Sequence, residues 1–425
     1  MNALGRSLTT SRRSGQILGA VGLTAALLLA GCSSSDQDET GESGTDAPDV
    51  DLPAEPMGEE RAAEIEALAA AIEEQSGEEV PALLVGVWDP TDGFYTTALG
   101  TADLESGEAA QVEDAFRIGS VTKTFIATLV LQQVDEGSVD LDTPVAEYLP
   151  DLSETYPDIG KVTVRQLLAM QSGLPDFEAV VTGSAALDDT FTTKTWTAEE
   201  LIDTAMQSGE VKPAGQTPAE YSNTNYIVLG ELLEAVTDEE LPDLVTSELL
   251  DPFGLSRTDY PPADDTALAA PFLRGYVTAS GVEPLTAAGG TLEPNTDVTD
   301  WTASWGGAAG IMSSTLEDLA TWAGADFGSA LLPESLQQER TEFEPVDKLA
   351  PLVDYGLGLM QIGSWLGHQG GIPGWTTLAV RDSESGAIVV LAINSSGEVA
   401  PLDQLVLLDQ LYPDTTGLAE AFDAG

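Results

Sequence analysis

The 425-residue chain contains one cysteine and one histidine. No disulfide can close within it, and no zinc site made of several Cys and His ligands can form. A Ser-His-Asp relay would have to run through His368, and no Gly-x-Ser-x-Gly elbow accompanies it. Basic residues are scarce, 15 Lys and Arg against 72 Asp and Glu, for a formal net charge of −57. A surface of that sign repels phosphate backbones, which argues against nucleic acid as a partner. It also keeps the folded part off anionic lipid heads. Acidity spread along a whole chain is read most simply as adaptation to salt rather than as a binding surface. What the chain does have is a core: 42% of its residues are hydrophobic, which excludes global disorder.

Residues 1–31 read as a secretory leader. Arg6, Arg12 and Arg13 form its basic region, and the apolar stretch from Gln16 to Gly31 is shorter than the roughly 20 residues a spanning helix needs. It ends in Leu29-Ala30-Gly31-Cys32, the pattern of a bacterial lipobox. The only cysteine thus stands where a lipoprotein carries its diacylglyceryl group. Residues 32–58, rich in Ser, Gly, Pro and acidic side chains with no Lys or Arg, read as a solvated tether. Its root-mean-square reach is about 28 Å, which holds the remainder just off the outer face of a cell membrane.

Residues 59–425 read as one catalytic unit. Glu59 to Gln75 carries Ala62, Ile65, Leu68, Ala69 and Ile72 on one helical face. Leu83 to Trp88 and Phe94 to Gly100 are apolar runs split by Asp89-Pro90-Thr91-Asp92-Gly93, a hairpin pattern. Phe116 to Gly119 reads as a short strand, and Ser120 to Glu136 as an apolar helix stopped by Gly137. The stretch from about 140 to 330 is helical with long excursions at 182–215 and 260–308. Trp365 to His368, Gly374 to Arg381 and Ala387 to Asn394 read as strands, and Leu402 to Leu411 as a closing helix. Strands first and last with helices between imply an α/β (α+β) fold. One antiparallel sheet is built from both chain ends and flanked by helices, with a helical subdomain inserted.

Three short motifs carry chemistry. In Ser120-Val121-Thr122-Lys123, a Ser three residues before a Lys shares its helix face, with Cβ atoms about 5–6 Å apart. The free amides and dipole of a helix start favour an anionic oxygen there. A serine hydroxyl is a poor nucleophile until a base takes its proton, and a lysine serves when burial lowers its pKa. Taken alone, the pair is equally a helix cap with a solvated lysine, yet none of the other four lysines has a Ser at that spacing. Tyr221-Ser222-Asn223 is the only Tyr-x-Asn in the chain. Its phenol can act as acid or base and its amide can orient a neighbour. In His368-Gln369-Gly370-Gly371 a glycine-rich edge strand lets a substrate backbone approach, and its amides can donate to an oxyanion.

Ser-x-x-Lys, Tyr-x-Asn and His-x-Gly in this order resemble the penicillin-recognising serine hydrolases, on the branch of class C β-lactamases, D-alanyl-D-alanine carboxypeptidases and related esterases. Val162 to Pro175, Pro252 to Leu255, Ala309 to Ser314 with Asp318-Leu319, and Tyr355 to Gly358 extend the resemblance over roughly residues 83–410. It implies that Ser120 forms an acyl-enzyme, that Lys123 and Tyr221 share the proton traffic, and that Asn223 holds Lys123 and contacts substrate. The amides of Ser120 and Gly371 would form the oxyanion hole beside Gly370, with Gln369 in the substrate-binding strand. His368 would support the Tyr221 side electrostatically. Neither metal nor cofactor is implied. The expected substrate is a D-Ala-D-Ala or other cell-wall peptide, a β-lactam or a small ester, taken by a monomer. The rival expectation is a catalytically idle penicillin-binding protein on the same scaffold. Two departures bear on substrate. Gln369 stands where many relatives carry Thr or Ser, and Met360 and Gln361 stand where carboxypeptidase relatives can carry a cation. Met170 replaces a common His and reads as packing.

Overall fold

A computed structural model describes residues 50–184, 190–347, 352–397, 399–413 and 415–417. The leader, Cys32 and the tether as far as residue 49 lie outside them. The end of that tether is already part of the folded body. Met57 N–H donates to Phe94 O at 2.8 Å, Phe94 N–H donates to Glu55 O at 2.9 Å, and Met57 is buried.

The sheet has ten strands: β1 (Ala82–Asp89), β2 (Gly93–Asp103), β3 (Glu108–Ala109), β4 (Ala219–Glu220), β5 (Glu344–Asp347), β6 (Asp354–Tyr355), β7 (Met360–Ile362), β8 (Trp365–Ile372), β9 (Trp375–Asp382) and β10 (Ile388–Ile393). Their order is β3-β2-β1-β10-β9-β8-β7-β6-β5-β4. Both chain ends meet at its centre, where β1 pairs with β10 from Leu83 opposite Ile393 to Trp88 opposite Ile388. The hairpin expected at 89–93 forms because Asp89 Oδ1 accepts from the N–H groups of Thr91 and Asp92. One expectation needs correction: the sheet is mixed. β4 runs parallel to β5, while the other neighbouring pairs are antiparallel.

The helices that frame the site are α1 (Glu59–Ser76), α2 (Thr122–Asp135), α3 (Ala198–Ser208), α4 (Thr224–Thr237), α5 (Gly307–Gly310), α6 (Leu316–Gly324) and α7 (Val399–Leu411). α1 and α7 pack on each other and on the β1, β2, β9 and β10 strands, and α1 buries Ile65, Ala69 and Ile72, which recur at helical spacing. α6 lies against β1, β9 and β10, while α2 runs between β8 and the helices α4 and α5. α2 is buried continuously from Thr122 to Leu131, its polar Lys123, Thr124 and Thr128 all hydrogen-bonded within the protein. Its position is fixed across the core. The Phe125 and Trp322 rings stack at 4.2 Å, and Trp322 Nε1–H donates to Thr124 Oγ1 at 2.8 Å. The excursion expected at 182–215 is partly helical instead: α3 starts on a capping box in which Thr197 and Glu200 satisfy each other's backbone N–H groups. Among the described residues no helix is long and apolar enough to cross a membrane.

Candidate active site

Ser120 sits in a single 3-10 turn, Gly119–Val121, that leads directly into α2. The turn is pressed against β8 by two glycines. Gly119 has φ of +49°, and a Cβ there would stand 2.7 Å from Gly371 N. A Cβ on Gly370 would stand 1.9 Å from Ile118 O and 3.1 Å from Ser120 N. The missing side chains therefore bring the backbone of β8 into contact with the nucleophile's turn. Two residues, Pro373-Gly374, close the β8–β9 hairpin, with Ile372 opposite Trp375. Hydrogen-bonded and non-bonded pairs alternate along such a ladder, so Gly371, opposite Thr376, directs its N–H out of the ladder.

Lys123 is the second residue of α2 and has no solvent exposure. Its Nζ donates to Ser120 Oγ at 2.8 Å, to Asn223 Oδ1 at 2.7 Å and to Ala309 O at 2.8 Å. Those three acceptors exhaust its donors. The ammonium also lies 5.1 Å from the Tyr221 ring centroid and 5.5 Å from that of Tyr226. Burial drives the Lys123 pKa down to about 7, against the opposing pull of Glu178 and Asp176. Asn223, the residue before α4, passes the contact on: its Nδ2 donates to Glu178 Oε2 at 2.7 Å and to Asp176 Oδ2 at 3.2 Å. Both carboxyls are held above the usual carboxylate range, first by burial.

Tyr221 follows β4, and its hydroxyl faces the Ser120 side chain. Burial holds that phenol protonated well beyond its ordinary range. His368, on β8, is wholly buried, and burial followed by the charge of Lys123 pushes it down to about 3, so it is neutral. Its Nε2 meets the Tyr355 hydroxyl at 3.0 Å, and its Nδ1 meets Gln369 O at 2.5 Å.

The structure thus gathers Ser120, Lys123, Tyr221, Asn223, His368, Gly370 and Gly371 into one place. It does not bring the Gln369 side chain there. Successive strand residues face opposite sides, and with His368 toward Tyr221, Gln369 turns to α7, donating to Pro401 O at 3.1 Å. The expected substrate contact through that side chain is corrected accordingly. Met170 is buried, and its Sδ accepts from Asn225 Nδ2 at 3.3 Å. The sequence reading missed Asp176, Glu178, Tyr226 and the Ala309 carbonyl. Asp176 and Glu178 directly follow the Val162–Pro175 stretch, which was the one available signal. No group of acidic, Cys or His side chains among the described residues is arranged to hold a metal ion.

A Ser-Lys pair at the head of a buried helix, faced by a Tyr-x-Asn and by a glycine-rich strand of a large sheet, defines a class of serine hydrolases. Within it, the chain belongs to the β-lactamase family, whose model matches residues 68–411. It is similar to a D-stereospecific amidohydrolase from Streptomyces sp., with 29% identity and a TM-score of 0.71 over 82% of this chain and 99% of that one. It is similar also to a D-amino acid amidase from Ochrobactrum anthropi SV3, with 29% identity and a TM-score of 0.69 over 83% and 98%. A D-aminopeptidase from Cereibacter sphaeroides is 26% identical over 322 residues, 74% of this chain and 57% of that protein. The chain spans about half the length of the curated relatives it matches.

Proposed function

We propose that the protein hydrolyses the amide bond of D-amino-acid amides or short D-configured peptides through an acyl-enzyme on Ser120. The observation that carries this is the Lys123 Nζ, fully buried and 2.8 Å from Ser120 Oγ. A lysine whose pKa burial has lowered to about 7 is neutral in a large fraction of molecules near neutrality and takes the serine proton as Oγ attacks the carbonyl. Tyr221, held as a phenol by burial, enters as a donor instead: it can protonate the leaving amine and then take the proton of the deacylating water. The amides of Ser120 and Gly371 receive the oxyanion, and Asn223 keeps Lys123 in place. His368, neutral and bonded at both ring nitrogens, is not the base.

The choice of substrate rests on two supports. The similar proteins are described as a D-stereospecific amidohydrolase, a D-amino acid amidase and a D-aminopeptidase. In addition, a cavity of about 290 Å³ beside Tyr221 is lined by Asp176, Glu210 and Glu220, with Lys212 as its only basic residue. That charge balance suits an amine-bearing substrate better than one ending in a free carboxylate. The reading also places the enzyme on the outer face of a membrane, anchored through Cys32, where it would meet small amino-acid amides or cell-wall peptides.

The test is covalent labelling followed by turnover. A fluorophosphonate or fluorescent penicillin is expected to label wild type and not Ser120→Ala, and D-phenylalanine amide to be hydrolysed faster than its L enantiomer. Wild type that labels with neither probe would refute the acyl-enzyme; equal rates on both enantiomers would refute the substrate class. Incorporation of labelled palmitate into wild type, lost in Cys32→Ser, tests the anchor.

A further inference from the structure

Tyr355 has no part in the reaction as described, yet it touches two of the residues that do. It is buried on the short strand β6, 1% exposed. Its ring meets Tyr221 edge-on, with centroids 6.0 Å apart at 82°, and meets His368 edge-on at 5.6 Å and 85°. Its hydroxyl lies 3.0 Å from His368 Nε2. The other imidazole nitrogen, Nδ1, lies 2.5 Å from the carbonyl oxygen of Gln369. A carbonyl only accepts, so in a neutral ring Nδ1 carries the hydrogen. Nε2 then accepts, and the Tyr355 O–H donates to it. Behind it, the Tyr226 hydroxyl donates to Leu168 O at 3.5 Å.

We propose that Tyr355 is a positioning residue of the acylation site: its hydroxyl fixes His368 as the neutral Nδ1–H tautomer, and its ring and that imidazole together wall Tyr221 into place beside Ser120. The proposal rests on the reading of Ser120, Lys123 and Tyr221 given above. It explains why a histidine stands 6.3 Å from the Tyr221 ring without serving as a base. The ring nitrogens are both spent, and the imidazole acts as a flat, uncharged surface. A second cation so near Lys123 would oppose any protonated state of the lysine, so keeping the imidazole neutral matters to the chemistry. The groups that bear on His368 are Lys123 from α2, Tyr221 from the β4 side and Tyr355 from β6, with Arg340 and Tyr226 acting on Tyr355 from behind.

His368 is the chain's only histidine, so its ring can be read alone. In protein prepared without affinity histidines, long-range proton–nitrogen spectra of wild type should show one Nδ1–H imidazole that does not titrate between pH 5 and 9. In Tyr355→Phe, which keeps the ring and removes the hydroxyl, the imidazole should populate the Nε2–H form. The same variant should lose about tenfold in kcat with KM nearly unchanged. Tyr355→Leu, which removes the wall as well, should lose about a hundredfold. A wild-type imidazole that titrates in the window, or that carries its hydrogen on Nε2, overturns the proposal even if neither variant folds. So does a Tyr355→Phe protein with an unchanged spectrum and unchanged rates. The spectrum needs no substrate, so a wild type that no acylating probe labels overturns the hydrolase reading while the tautomer is still judged.

Discussion

Adding one methyl group at Gly370 should disable the site without touching a reactive atom. The Cβ of Gly370→Ala would lie 1.9 Å from Ile118 O, 3.0 Å from Ile118 C and 3.1 Å from Ser120 N, all backbone atoms of the nucleophile's turn. No side chain can swing aside to make room. An ordinary carbon-to-oxygen contact is about 3.3 Å, so β8 and the Ser120 turn must part by about 1.4 Å. Overpacking of this kind costs about 1–3 kcal/mol of stability, a loss a chain of this size can survive. The rate should suffer more. On the proposed mechanism Gly371 and Ser120 supply the oxyanion amides from opposite sides of that contact, and a misplacement of about 1 Å costs roughly a hundredfold. The control is the next residue: a Cβ on Gly371 meets nothing within 4 Å. The second-order rate of fluorophosphonate labelling is the assay, with thermal melts recorded on the same samples. We expect labelling of Gly370→Ala to slow about a hundredfold and the melting point to drop by a few degrees, with Gly371→Ala keeping a wild-type melting point. Gly370→Ala labelling at the wild-type rate would refute the argument from backbone contact. So would a Gly371→Ala protein whose melting point drops as far.

Three further outcomes are expected. With neutral Lys123 as the base, as proposed, the rate of acylation should rise with pH through about 7, near tenfold per unit below that point; the limb belongs jointly to Lys123 and Glu178, and an acylation rate flat from pH 5 to 9 would exclude a lysine base. The same shift links to stability. Unfolded, the lysine stays protonated up to its ordinary 10.5, whereas folded it sheds its proton from about 7, so the unfolded state binds more protons between those values and stability rises with pH. Relative to Lys123→Met, wild type should therefore gain about 2–3 kcal/mol between pH 7 and 9, measured by urea unfolding; a constant difference would mean the lysine keeps its proton when buried. Gln369→Ala should acylate and turn over D-amino-acid amides at close to wild-type rates, since its amide serves α7; a tenfold rise in KM would put it back in the substrate site.

Ser120, Lys123, Tyr221, Asn223 and His368 could be found in the sequence because each belongs to a spacing that occurs only once in the chain. Gln369 adjoins His368 and Gly370 in sequence but not on the strand face. Strand alternation already separates the middle residue from the other two, with His368 and Gly370 on one face and Gln369 on the other. The long helices and the paired inner strands were legible from periodicity, and their ends moved by only a few residues, as with α1 at Glu59–Ser76 and β9 at Trp375–Asp382. The outer strands were not. β4, β6 and β7 hold two or three residues each, too few to show a period, and the parallel pairing of β4 with β5 joins segments more than a hundred residues apart.

Asp176 and Glu178 were invisible for a different reason. In a chain with 72 acidic residues, one more acidic residue says almost nothing about function. What distinguishes these two is that both accept from Asn223 Nδ2, whose Oδ1 holds Lys123, which is a property of the fold. The contrast separates the two kinds of charge in the molecule. Exposed carboxylates more than a Debye length of about 8 Å from Lys123 are largely screened at physiological salt and set solubility and tolerance of salt. The proton of Lys123 is governed by its own desolvation and by the pair of carboxyls reached through Asn223. The lysine sheds its proton near neutrality inside a strongly acidic protein because local burial outweighs both that pair and the distant surface. The chemistry of Ser120 is thus insulated from the composition that dominates the rest of the chain.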